Sequence, residues 1–251
     1  DVINTVAIVT RHDAHASQVL SAIESGKHVF VEKPLALKLA EVDAIDAAFQ
    51  KVNEGRSDPL RLMVGFNRRF APHVAKMKSL LGIMREPKAI IITVNAGAIP
   101  TAHWTQDPEI GGGRILGEGC HFIDLMRFLV GHAITGHHSM MMGDAPGVEV
   151  RDDKVSINLS FADGSFGTIH YLANGGKAFP KERIEVFCGD AVLQMNNYRV
   201  LQGYGWKGFK KMKLFKQDKG QFACAKAFLN AVREGKPSPI PYKEVMEVSR
   251  S

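Results

Sequence analysis

The spacing of apolar positions divides the chain into two rhythms. Val6 to Val9 is an apolar run of strand length. Ala16, Val19, Leu20 and Ile23 then recur three and four residues apart, which puts them on one face of a helix. Asp13 stands where a cap is expected and Gly26 where the helix should stop. His28 to Val31 predicts a second strand, and Val42, Ile45, Phe49 and Val52 a second helical stripe. Arg61 to Phe66 predicts a third strand. Strand–helix alternation of this kind implies a parallel sheet with crossover helices.

After about Phe66 the rhythm changes. Helices are predicted over 72–81, 113–130 and 222–233 and near the end, but the segment is otherwise rich in strands. Ala89 to Val94 is mostly β-branched. Val155 to Phe161 and Ser165 to Tyr171 flank Ala162-Asp163-Gly164, and Ile184 to Phe187 and Val192 to Met195 flank Gly189-Asp190; both are hairpin signals. The expected fold is therefore α/β followed by α+β: a partial, Rossmann-like parallel sheet over residues 1–66, then residues 67–251 as an α+β domain built on a large, mostly antiparallel open sheet.

Composition narrows the class. Of 251 residues, 45% are hydrophobic and 23% charged, the mix of an ordinary globular protein. No run of 18 apolar residues offers a membrane span. Cys120, Cys188 and Cys224 lack Cys-x-x-Cys spacing, which points to reduced thiols and a cytoplasmic setting, with no metal expected. The chain opens on Asp1, and Val2 to Thr10 run straight into a strand, as in a truncated or processed chain. The net charge of +6 favours anionic small molecules. The densest basic stretch, Lys207 to Lys219, reads either as a nucleic-acid strip or as a lysine-guarded strand. Alternation of Met212 and Leu214 with Lys211 and Lys213 favours the strand, so no nucleic-acid partner is expected.

Candidate chemistry sits at the carboxyl ends of the parallel strands, where open α/β sheets bind ligands. Three ends are readable: Thr10-Arg11-His12, Glu32-Lys33-Pro34 and Asn67-Arg68-Arg69. Cations there suit phosphate or carboxylate groups. No Gly-x-Gly-x-x-Gly turn is present: neither Gly111-Gly112-Gly113 nor Gly175-Gly176 has the spacing. His132, His137 and His138 with Met140, Met141 and Met142 contain copper-type ligands, but a strand would split them between two faces, which favours core and surface packing. Glu118-x-x-His121 has the spacing of di-iron bundles, which need a second copy that the chain lacks.

Taken together, Val6 to His15 (VAIVTRHDAH), Gly26 to Pro34 (GKHVFVEKP), Gly65 to Phe70 (GFNRRF), Trp104 with Asp107-Pro108, Gly111 to Gly113, and His121 with Asp124 resemble the Gfo/Idh/MocA oxidoreductases. The resemblance runs in order over nearly the whole chain. It implies NAD or NADP as cofactor and hydride transfer to or from a carbinol of a sugar, sugar nucleotide or polyol. It implies Lys33 beside the reacting hydroxyl, held by a cis bond to Pro34, and His121 as acid/base. It implies Thr10, Arg11, His12, His15, Glu32 and Lys33 along the cofactor, and Arg68, Trp104 and Asp124 along the substrate. It also implies a homo-oligomer, with subunits pairing through the sheet. The Gly-rich stretch 111–124 further resembles members fused behind a zinc-type alcohol dehydrogenase-like module. Two departures stand out. The opening strand and glycine turn of the family are absent, which implies a longer parent chain. The family's aspartate four residues before the histidine is Gly117 here; Glu118, three residues before His121, is the candidate replacement. The alternative is a catalytically incomplete binding or assembly module, active only within a longer chain.

Overall fold

The computed structural model describes residues 3–251. They form two compact units. The first gathers the chain up to Phe66 with Trp104–Asp124 and Phe222–Ser251; the second gathers Asn67–His103 and Leu125–Gln221. The linear reading put 104–124 and 222–251 with the later domain, but they pack with the earlier one. Ring contacts show why. Phe228 meets Phe30 at 5.7 Å between centroids, and Tyr242 stacks on Phe49 at 4.1 Å. The first unit closes its core with helices that arrive only at the end of the chain.

That unit holds a three-stranded sheet, β1 (Thr5–Ile8), β2 (His28–Val31) and β3 (Leu62–Val64), in the order β1-β2-β3. Both pairings are parallel, with Thr5 opposite His28 and Val29 opposite Leu62. Between the strands run α1 (His15–Glu24) and α2 (Leu39–Asn53). The helical stripes are inward as expected: Ala16, Val19 and Ile23 on α1 and Val42, Ile45 and Phe49 on α2 are buried. Gly26 ends the first helix at φ +69°, its N–H on the Ile23 carbonyl. Asp13, by contrast, is not the cap. It lies in a 3₁₀ turn over His12–Ala14, its backbone N–H donates to the Ile110 carbonyl, and Ala14 occupies the cap position with no side-chain bond. Towards the chain's end, α5 (Gln221–Arg233) and α6 (Tyr242–Arg250) complete the layer. Arg250 on α6 bridges Asp43 and Asp46, and the Tyr242 hydroxyl donates to Asp46.

The second unit is an eight-stranded sheet in the order β11-β10-β9-β8-β4-β7-β6-β5. Its strands are β4 (Ala89–Asn95), β5 (Ile134–Met141), β6 (Lys154–Phe161), β7 (Phe166–Leu172), β8 (Glu182–Cys188), β9 (Ala191–Asn196), β10 (Val200–Tyr204) and β11 (Lys211–Lys213). Only β4 and β7 pair in parallel. Both expected hairpins form, β6 with β7 and β8 with β9. Alternate residues face a core, among them Ile90, Ile92 and Val94 on β4 and Ile184 and Val186 on β8. Over that face lie α3 (Pro72–Leu81) and the later turns of α4 (Cys120–Val130). The approach is close: a Cβ on Gly167 would fall 2.4 Å from the Met126 sulfur. Lysines 211 and 213 are exposed on the edge strand with Met212 half-buried between them. At the opposite edge the expected alternation fails. His137, His138 and Met140 to Met142 are all exposed, because β5 is an edge strand left uncovered on both faces, so these side chains do not pack into a core.

One charge cluster lies inside this unit. Glu182 is fully buried and receives a bidentate bond from Arg68 (3.0 and 3.1 Å) and an ion pair from Lys219 at 2.5 Å. Burial alone would raise the Glu182 carboxyl, but the two cations outweigh it and hold its pKa below the ordinary value. A carboxyl so depressed stabilises the fold above its unfolded pKa, and that contribution is lost as pH falls. Glu182→Gln, which leaves the buried Arg68 and the half-buried Lys219 without their counter-charge, is expected to cost about 3–5 kcal/mol in urea unfolding. The same variant should lose stability less steeply than the parent as pH drops below about 4.5. Equal slopes would show that the acid transition lies elsewhere.

Candidate active site

The first unit brings three separate turns together: the end of β1 with the 3₁₀ turn after it, the end of β2, and the glycine-rich segment that leads into α4. Glycines build the third. Gly112 and Gly113 have φ near +72° and +79°, and a Cβ on Gly111 would lie 2.4 Å from the Thr105 Cα. The backbone can fold on itself there only without side chains. The segment then forms a π-helical turn over Ile115–Gly119 before α4 begins at Cys120. Such turns are rare and are frequent at functional sites.

The Gly117 carbonyl of this turn meets the β2 end. Lys33 Nζ, on the residue before the cis Lys33–Pro34 bond, donates a hydrogen bond to the Gly117 carbonyl. Residues 84 positions apart thus fall side by side, with His121 one turn further along. His121 is buried, its ring edge-on to Phe66 with centroids 6.2 Å apart. Asp124, three residues on, is fully buried. Glu118 is paired to Arg114 at 3.1 Å across one turn.

His12 and His15 are braces. His12 Nδ1 lies 2.8 Å from the Gly111 carbonyl; a carbonyl only accepts, so Nδ1 carries the proton and Nε2 is the acceptor nitrogen. Desolvation by burial, opposed by the Gly111 bond and helped by Lys33 and His15, lowers the His12 pKa, so the ring is neutral at pH 7. It packs edge-on against Trp104 at 4.9 Å, and Arg11 lies over the same indole at 5.8 Å. His15 is fully buried, with its ring nitrogens 2.7 Å from the Pro34 carbonyl and 3.2 Å from that of Thr10. Thr10 and Arg11 are exposed at the end of β1. The Glu32 carboxylate packs on Gly65, where a Cβ would sit 3.0 Å from its oxygens. Of the expected site residues, Lys33, Glu118, His121, Asp124, Thr10, Arg11, His12, His15, Glu32 and Trp104 all belong to this unit. Arg68 belongs to the second unit, buried against Glu182.

The geometry explains why a glycine occupies position 117. A Cβ there would lie 2.9 Å from His12 Cε1. His12 fills the room that a side chain at 117 would need. Sequence reasoning could not find this brace, since 12 and 117 share no element. Among the described residues no three His, Cys, Asp or Glu side chains converge as a metal site, and no helix is long and apolar enough to cross a membrane.

Parallel strand ends, basic groups and a glycine-built turn are thus gathered in one unit, and comparison with known proteins gives the family. The family model for the NAD-binding Rossmann fold of the GFO/IDH/MocA oxidoreductases matches residues 1–55, and that for the GFO/IDH/MocA C-terminal domain matches residues 85–194. The chain belongs to this family of NAD-binding oxidoreductases. Myo-inositol 2-dehydrogenase of Thermotoga maritima is 25% identical over 250 residues, which are 95% of this chain and 72% of that protein. The NAD(+)-dependent scyllo-inositol 2-dehydrogenase of Bacillus subtilis is 36% identical over 136 residues, 53% of this chain and 37% of that one. In fold, the chain superposes on levoglucosan dehydrogenase in complex with NADH and levoglucosan with a TM-score of 0.82 at 23% identity, covering 98% of this chain and 75% of that one.

A double-mutant cycle tests the brace. Gly117→Asp alone should destabilise the protein by about 1–3 kcal/mol through overpacking. Adding His12→Ala should recover part of that loss, with coupling of at least about 0.5 kcal/mol by thermal unfolding. Strict additivity would show that His12 and position 117 do not compete for space.

Proposed function

We propose that the protein oxidises or reduces a carbinol of a sugar, sugar nucleotide or polyol with NAD or NADP. The observation that carries this reading is the Lys33 amine seated on the Gly117 carbonyl, one turn before His121. Oxidising a carbinol removes a hydride and a proton, and bound nicotinamide supplies the hydride acceptor. The donor set suits such a cofactor: Arg11 and Thr10 are exposed at the end of β1, where phosphate-bearing ligands bind in open parallel sheets. The remaining work falls to the chain. Lys33 donates a hydrogen bond to the substrate oxygen and polarises it. His121 takes the hydroxyl proton, as a side chain whose ordinary pKa lies near neutrality. Trp104, braced by His12 and Arg11, and Asp124 border the substrate. Glu118, held by Arg114, is the acidic group one turn before His121 and replaces the family's aspartate. The setting is cytoplasmic.

A second reading, a binding or assembly module of the same family, is favoured by Gly117 alone, which removes one acidic group from the site. Two experiments separate them. NADH titrated into the full chain should quench saturably. Coupled absorbance assays with myo-inositol, scyllo-inositol and levoglucosan should then find a substrate. Lys33→Met and His121→Asn should each lower kcat by about 10²–10⁴-fold. Turnover unchanged by Lys33→Met would sink the enzymatic assignment of this site.

We also propose that two copies pair through the open face of the large sheet. Phe166, Ala89, Phe187, Val192 and Tyr204 lie in register across five strands, and Phe166, Phe187 and Tyr204 are exposed. An aromatic row on an uncovered sheet suits a self-complementary interface. Phe187→Asp is expected to shift the sedimentation coefficient from dimer to monomer without lowering the melting temperature of the monomer. A wild-type chain that sediments as a monomer at tens of micromolar would remove the proposal.

A further inference from the structure

A cavity lies within the second unit, and none of the residues discussed so far as catalytic lines it. Its volume is about 680 Å³, and it opens between the end of β4, the connection from β7 to β8, and the tight turn from β9 to β10. Lys177, Lys181 and Arg199 line it together with Asn196, Asn197 and Phe179, and none of its lining residues is acidic. Glu182, next in the chain to Lys181, is fully buried and taken up by Arg68 and Lys219, so it does not neutralise the cavity.

Both walls are built rather than loose. On one side the Asn95 amide donates to the carbonyls of Gly176 (2.9 Å) and Phe179 (3.1 Å), closing the 176–179 loop onto the strand end. Gly175 is required for that staple, since a Cβ there would lie 2.1 Å from Asn95 Oδ1. On the other side Asn197 and Tyr198 hold left-handed backbone, φ +50° and +53°. That strain is over-determined: the Tyr198 ring is fully buried, the Asn197 N–H donates to the Glu182 carbonyl, and Gln217 donates to both Asn197 oxygens. Two fixed walls therefore present cations and amides to one space, with the exposed Phe179 ring as an apolar platform.

We propose that this cavity binds the anionic group of a small carbohydrate derivative, a phosphate or carboxylate held by Lys177, Lys181 and Arg199 while the sugar ring lies on Phe179. Cations at fixed positions make charge-assisted bonds to such groups, and an aromatic face suits the apolar side of a sugar ring. Only the carbohydrate part of this inference rests on the oxidoreductase reading; the anion site stands on the cavity itself.

The test is calorimetry on the full chain without nicotinamide, with inorganic phosphate, glucose 6-phosphate, glucuronate and glucose as probes. Glucose 6-phosphate or glucuronate should bind more tightly than inorganic phosphate, and which of the two wins distinguishes a phosphate from a carboxylate ligand. Glucose should bind at least tenfold more weakly. Lys177→Ser with Arg199→Ser, two exposed positions, should keep the melting temperature and weaken anion binding by at least about tenfold. Binding should also fall as salt rises. Equal binding by the double variant, equal affinity for glucose, or no binding of any anion would overturn the proposal. NADH titration reads the oxidoreductase assignment separately, so failure of one leaves the other standing.

Discussion

An amine on a carbonyl, Lys33 on Gly117, is the contact around which the first unit's chemistry is arranged. It requires a carbonyl within reach, which the π-turn places, and a main chain able to come close, which the glycine run provides. It also requires the lysine to leave its strand at a fixed angle. Each condition is met by a different stretch of sequence, and none is adjustable alone. Moving the glycine segment would displace Trp104 and release the His12 imidazole from Gly111. Moving the β2 end would release His15 from Pro34. Buried polar networks of this kind penalise partial satisfaction heavily, so the site is fixed as a whole.

The charges are handled in three ways. In the second unit Arg68 and Lys219 share one buried carboxylate, an arrangement that specifies geometry more than it adds stability. At the β1 end Arg11 lies over an indole and keeps its charge exposed to solvent. In the cavity beside β4, Lys177, Lys181 and Arg199 face a space with no acidic lining. The net positive charge is therefore not spread evenly. Part of it is structural and internal, and part is held at concave surfaces where an anion can use it.

The family's expected aspartate is replaced by Gly117, and the structure supplies a steric reason for the glycine. A neutral, buried histidine occupies the adjoining space. The His12 ring and a side chain at 117 compete for the same space, and the Glu118–Arg114 pair lies one residue on.

What the chain determines by itself is local. Periodicity placed α2, α3, β2 and both hairpins of the large sheet, because strand and helix periods are properties of neighbouring residues. It also marked Gly26 as a helix end, and the ordered run of short motifs pointed to the family and to Lys33 and His121. What only the tertiary structure decided is long-range. Asp13 looks like a cap, yet its N–H is claimed by Ile110 from another segment. Met140 to Met142 look half-buried, yet their strand lies at an uncovered edge. Segments 104–124 and 222–251 follow the later domain in sequence but pack with the first unit. Arg68 stands at a strand end, and its partner Glu182 lies 114 residues away. Local propensity cannot see such partners, since a buried charge, a steric vacancy and a sheet edge each depend on which distant residue arrives to fill, pair or cover it.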